Sequence, residues 1–342
     1  MIKRVFLKKF ILFFFFFLIS LKLNAKKTLN NLIIQTKNNP TIKSLIMFDP
    51  IFLKYHLSPN HPEDPKRIKY IGEELKKIGL GSILQKVDKN LLVMDAIRMI
   101  HSNDHISSIK ANFPDAYEVA IAAVQSVITA VNQVCSGGKK NAFCAVRPPG
   151  HHALNTGREE GFCYFNNIAI AAKYVQKNFK INKIMIVDWD YHHGNSTEFF
   201  FYNDPSVLFF STHDQFAYPL TGDPQKKGEG PGKGFNINIH LPCGTSDNDI
   251  LDAFTTNLKP AADKFKPELV LISAGFDSRK NDPLGCFEVS DSGFIKLTKL
   301  VMDIAEKYSG SKLVSLLEGG YNLKGNASAA VAHIKTLINY KV

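Results

Sequence analysis

From residue 44 onward, short and mainly apolar runs alternate with longer segments whose apolar positions recur every three or four residues. Six runs read as buried parallel strands, because a strand covered on both faces has no polar side to present. They are Ala142–Val146, Lys183–Val187, Val207–Phe210, Phe235–Ile239, Leu269–Ser273 and Lys312–Leu317. Helix-period segments lie between them, at Tyr117–Val134, Asn167–Lys177, Asp249–Leu258, Gly293–Tyr308 and Ala327–Ile338. Strand and helix in alternation predict right-handed βαβ units and an α/β fold. We expect a single-domain, doubly wound, mainly parallel sheet flanked by helices, spanning residues 45–342.

Polar residues follow the apolar runs at once. The clusters are Arg147-Pro-Pro-Gly-His-His152, Asp188-Trp-Asp-Tyr-His192, Ser211-Thr-His213, Ala274-Gly-Phe-Asp277 and Glu318-Gly-Gly-Tyr321. Ligands of open α/β sheets bind outside the carboxyl ends of the strands, so five such clusters predict one composite site.

The N-terminus departs from this pattern. A basic start, an apolar run from Phe10 to Leu21 and the small Ala25 have the order of a secretory signal peptide. The run is cut short of the roughly 20 residues that a spanning helix needs. We expect residues 1–25 to be an export signal, making the protein periplasmic or secreted; the alternative is an uncleaved membrane anchor through residues 10–21. Polar residues 26–44 read as a linker or loose arm.

Net charge is +11, and the five basic residues of that leader account for enough of it to leave +6. No basic stripe is interleaved with aromatics, which argues against a nucleic-acid partner. The five cysteines, Cys135, Cys144, Cys163, Cys243 and Cys286, lack CxxC spacing and read as buried small hydrophobes rather than a disulfide framework. The 342 residues are long enough to bury a core without such help.

Asp190 and His192 stand two apart, so in extended backbone they share a side. With Asp277 they offer two carboxylates and one imidazole, a set suited to zinc with a coordination position left open; Fe(II) is also compatible. A hydrogen-bonded polar network is the plainer alternative. His151 and His152 follow a Pro-Pro-Gly turn and supply the base and acid that a metal-activated water requires. Tyr321 can donate its hydroxyl to a developing oxyanion. No phosphate loop, GxSxG elbow or Cys/His pair competes.

These segments resemble the histone deacetylase superfamily: RPPGHHA (147–153), GFCYFNNIAIAA (161–172), VDWDYHHGN (187–195), SAGFDS (273–278), NDPLG (281–285) and LEGGYN (317–322). His61-Pro62-Glu63, Pro65 and Arg67 add to the likeness, which points to the class II and bacterial deacetylase or acetylpolyamine amidohydrolase branch. The resemblance implies zinc held by Asp190, His192 and Asp277, with His152 as base and acid and His151 as its electrostatic partner. Asp188 would orient His151, Asn195 would face His152, and Tyr321 would polarise the acetyl carbonyl. Gly161 and Phe162 would wall a narrow channel, Tyr218 stands where a phenylalanine usually faces Phe162, and Leu284 stands where polyamine-specific members place an acid. A structural potassium would lie near Asp188 and Ser211. The rim loop between His105 and Tyr117 is short, with Asp115 its only nearby acid.

The reading is therefore hydrolysis of an N-acetyl amide on an acetylated amine, peptide or small molecule. An acetylpolyamine amidohydrolase is the close alternative, and an arginase-like ureohydrolase or a non-catalytic acetyl-lysine-binding relative are the remote ones. Gly194 and Asn195 stand where a two-metal site would want another carboxylate, against the ureohydrolase. The sequence does not give the oligomeric state.

Overall fold

The computed structural model describes residues 43–55 and 57–340. The expected export signal, and the expected arm as far as residue 42, lie outside the described residues. Ser44, assigned to the end of that arm, instead opens the first strand.

Eight strands form one parallel sheet: β1 (Ser44–Met47), β2 (Leu84–Gln85), β3 (Asn141–Cys144), β4 (Ile184–Asp188), β5 (Val207–His213), β6 (Asn236–His240), β7 (Leu269–Ala274) and β8 (Leu313–Leu317). Their order is β2-β1-β3-β8-β7-β4-β5-β6. Around them pack α1 (Lys66–Lys77), α2 (Met94–Ile97), α3 (Asn103–Asn112), α4 (Pro114–Cys135), α5 (Asn167–Asn178), α6 (Asn195–Phe201), α7 (Asp247–Ala253), α8 (Lys259–Phe265), α9 (Asp291–Ser309) and α10 (Leu323–Asn339). All six expected strands are present, and β1 and β2 are additional.

Every residue of β3, β4, β5, β7 and β8 is buried, which is why these strands read as unbroken apolar runs. Helix α4 is long and apolar enough to cross a membrane by length and composition, but its most apolar stretch is 67% buried within the fold. It is a core helix. The helix expected over Asp249–Leu258 is instead α7, a π turn at Phe254–Leu258 and then α8. Pro260, near the start of α8, lacks the N–H that a continuous α-helix would use there.

The cysteines need a correction. Cys144 and Cys163 are buried and free, as expected. Cys243, however, is exposed and forms a disulfide with Cys286, their Cα atoms 5.1 Å apart. The two lie 43 residues apart, and only the fold brings the loops after β6 and β7 together.

Candidate active site

The sheet order puts β3, β8, β7 and β4 side by side, so the segments leaving their carboxyl ends meet. Asp188 ends β4, and Asp190 and His192 follow it. Nδ1 of His192 lies 3.2 Å from Oδ1 of Asp190 and 3.0 Å from Oδ2 of Asp277. One ligating atom from each of these three residues lies within 4.8 Å of the others. Backbone donors fix both carboxylates. Asp190 accepts from the amides of His192 at 2.9 Å and Gly319 at 2.8 Å, and Asp277 accepts from Tyr191 at 2.9 Å. Glycine is required at two neighbours: a Cβ on Gly275 would sit 2.0 Å from Oδ2 of Asp190, and one on Gly319 would sit 2.1 Å from Oδ2 of Asp277.

Two carboxylates and an imidazole fit a divalent cation. The surroundings reinforce that fit, because Asp188 and Glu318 add two more buried carboxylates to the same floor. Burial and the neighbouring Asp190 push Asp277 up to about 7. Burial opposes charge on His192, but its bonds to Asp190 and Asp277 outweigh that and raise it to about 10.

The adjacent histidines have opposite environments. Nδ1 of His151 lies 3.1 Å from Oδ2 of Asp188. Burial works against its charge, yet Asp190 and Asp188 raise it to about 10. The His152 ring lies 4.0 Å away, and its Nδ1 is 2.7 Å from Oδ1 of Asn195. Asn195 Oδ1 accepts there, so Nδ1 of His152 carries the proton and Nε2 keeps its lone pair. Burial, then the charges of His151 and His192, hold His152 well below the ordinary imidazole range. One histidine is built to be charged, the other neutral.

Tyr321 is buried, and burial raises its phenol well above the ordinary range. Two groups that the sequence reading left without a role hold this region in place. Asp282 accepts from the amides of Tyr321 at 2.7 Å, Asn322 at 2.9 Å and Leu284 at 3.0 Å. Glu318 accepts from the amides of Gly150 at 2.6 Å and His151 at 3.3 Å. The signal for Glu318 was an acid directly past the end of a buried strand; Asp282, well out in the loop after β7, gave none. Arg67 donates to the Gly320 carbonyl at 2.7 Å, its guanidinium 4.8 Å from the Tyr321 ring. Arg67 and Arg147 share the buried carboxylate of Glu63.

Above this floor opens a pocket of about 430 Å³, with His152, His192 and Tyr321 at its base. Gly161, Phe162, Tyr218 and Leu284 line it, and so do Tyr191 and Ala217, which the sequence reading did not name. Phe162 sets its edge against Tyr321 at 5.9 Å, and Tyr218 stands 5.0 Å from His152. The third expected cluster behaves differently: Ser211–His213 lies within β5. Ser211 pairs in register with Asp188, and its hydroxyl is 2.8 Å from Nδ1 of His213. His213 in turn donates to the Gly222 carbonyl, away from the pocket. Asp115 is exposed in the first turn of α4 and does not line the pocket.

A parallel sheet that gathers two carboxylates and an imidazole at the carboxyl ends of its strands presents a candidate metal site there. Residues 61–337 match the Histone deacetylase domain. A protein of Archaeoglobus fulgidus named "Probable deacetylase" is 34% identical over 295 residues, covering 82% of both chains. "Histone deacetylase 10, chloroplastic" of Oryza sativa subsp. japonica is 34% identical over 305 residues, 80% of this chain and 69% of that one. Among solved structures, the HD domain of HDA15 superposes with a TM-score of 0.80 at 32% identity, covering 86% of this chain and 89% of that one. The chain belongs to the histone deacetylase family and is an enzyme.

Proposed function

We propose that the enzyme hydrolyses an N-acetyl amide to acetate and a free amine, with zinc held by Asp190, His192 and Asp277. The observation that carries this reading is the meeting of those three donors beside the Asn195-bonded His152 at the base of a pocket. Relatives named as deacetylases support the same reaction. Bound there, zinc supplies Lewis acidity toward the amide carbonyl and lowers the pKa of a water. His152 takes the water's proton on its free Nε2 and delivers it to the leaving amine. Burial, and then the nearby His151 anchored by Asp188, keep His152 neutral until that transfer. Tyr321 donates its hydroxyl to the carbonyl oxygen as negative charge develops, and its buried, high-pKa phenol stays protonated for this. Fe(II) suits the same donors, and a structural potassium is proposed beside Asp188 and Ser211. We also propose export through residues 1–25, testable by sequencing the N-terminus of the mature protein.

The test is an assay on acetyl-lysine peptides and acetylpolyamines, before and after chelation and with zinc restored. Turnover that chelation removes and zinc restores supports the reading. A folded, zinc-loaded protein that turns over neither class of substrate would overturn it.

A further inference from the structure

The pocket wall that Phe162 forms stands on a loop with little burial to hold it. Residues 155–161, Asn-Thr-Gly-Arg-Glu-Glu-Gly, carry no large apolar side chain, and none of them is buried. Phe162 itself has a left-handed φ of 70°, a conformation that persists only where the surroundings impose it. Inside the loop, the Glu159 carboxylate accepts from the Phe162 amide, and Glu160 and Cys163 exchange backbone bonds of 3.1 and 2.9 Å. Those bonds travel with the loop and do not fix it to the body of the protein.

Two histidines do fix it. His101 lies just before the Ser102 cap of α3 and His105 in the first turn of that helix; both rings are buried, and they stack 4.8 Å apart. Each ring spans the two limbs of the loop. Nδ1 of His101 donates to Oδ1 of Asn155 on the outgoing limb at 3.0 Å, and its Nε2 accepts from the Asn166 amide on the returning limb at 2.8 Å. Nδ1 of His105 accepts from the Gly157 amide at 3.0 Å, and its Nε2 donates to the Tyr164 carbonyl at 2.8 Å. The partners fix these roles, because a carbonyl oxygen only accepts and an amide N–H only donates. The rings are therefore neutral and of opposite tautomer, and burial holds both below the ordinary imidazole range, His101 down to about 3.

We propose that His101 and His105 are positioning residues: two rungs that brace the loop between Asn155 and Asn166 and so hold the Gly161–Phe162 wall against the pocket. Neither histidine lines the pocket, and both act through Phe162. What the wall does for a substrate rests on the proposed function. It flanks the chain that leads to the three donors, so loss of a rung shows in KM more than in kcat.

The test compares the zinc-loaded enzyme with its His105→Leu, His105→Asn, His105→Gln and Asn155→Ala variants. Leu fills the stack but makes neither bond; Asn can still accept from Gly157, and Gln can still donate to Tyr164. Asn155 is exposed, so truncating it cuts one rung from outside without opening the core. Hydrogen exchange over residues 154–166 reads the brace without turnover, and KM and kcat on an acetyl-lysine peptide read its consequence. Exchange there should quicken about tenfold in Asn155→Ala, roughly what one net hydrogen bond is worth, and further in His105→Leu, with Asn and Gln short of Leu. KM should rise in the same order while kcat stays within about threefold. Unchanged exchange in Asn155→Ala would overturn the proposal. So would a Leu variant that holds the loop better than Asn and Gln do, since that is the order of packing alone, or a fall in kcat with KM unmoved. Exchange that loosens in the expected order, with no form turning over the peptide, would uphold the brace and refute the deacetylase reading alone.

Discussion

The floor and the mouth of the pocket are built on opposite terms. At the floor, side chains are polar and buried, and backbone amides on neighbouring loops hold the carboxylates, as Gly319 and His192 hold Asp190. At the mouth, Phe216 and Leu220 are apolar and mostly in water. The floor is set by four central strands that cannot shift without breaking the sheet. The mouth is carried by loops free to vary. The residues proposed for the chemistry thus sit where the fold is most constrained, and those at the mouth sit where a few substitutions can change them.

Variants can sharpen that contrast or break it. The largest effect is expected from Asp277→Asn at the floor. Activity should fall roughly a thousandfold or more, the rate equivalent of several kcal/mol, with loss of bound metal measured by elemental analysis. Tyr321→Phe should lower kcat about 100- to 1,000-fold while KM and metal content hold. Equal losses in kcat and metal would instead make Tyr321 part of the scaffold.

Asp282 joins the two regions, since one carboxylate holds both Tyr321 and Leu284. Asp282→Asn should reduce kcat roughly tenfold or more by misplacing the Tyr321 hydroxyl. The same substitution made in Tyr321→Phe should have little further effect on kcat, because the hydroxyl it positions is gone. A full additional loss there would show that Asp282 acts on something other than that hydroxyl.

The smallest effect concerns stability rather than rate, and it comes from the scaffold. His101 and His333 are buried and held neutral at about 3, burial being the leading cause for both. In the unfolded chain a histidine titrates near 6.5. Below that pH the unfolded chain takes up protons that the folded protein refuses. The contribution of these two histidines to stability is therefore full above about 6.5 and falls as pH drops toward 3, by about 1.4 kcal/mol per pH unit for each. Thermal melts between pH 7.5 and 5 should show this slope, and His333→Gln should flatten it by one proton's share. An unchanged slope would mean that His333 is protonated in the fold.

The floor was legible in the sequence for the same reason that it is rigid. A strand buried on both faces reads as an apolar run, and Asp188 and Asp277 stood out directly after such runs. Four-residue β1 and two-residue β2 were too short to show any period. Asp282 resembled an ordinary loop acid, because its partners Tyr321 and Asn322 lie some forty residues away. Cys243 and Cys286 gave no sign of meeting, since nothing local encodes the approach of two loops. The loop after β5 was invisible as a surface: Phe216 and Leu220 look like core residues until the fold leaves them outside.

The sheet order has a further consequence for how the chain is made. β3 and β4 are consecutive along the chain, yet β8 and β7, the last strands synthesised, slot between them. Until those arrive, the two half-sheets have facing edges with nothing to pair with, a state in which open strand edges favour aggregation. Asn141 waits for Leu313, and Ile184 for Leu269. Asp277 enters with the same late strands, so the three-donor cluster closes only after β7 has been made. The three-donor cluster thereby depends on completion of the sheet: a chain truncated before β7 keeps Asp190 and His192 but never gains the third donor.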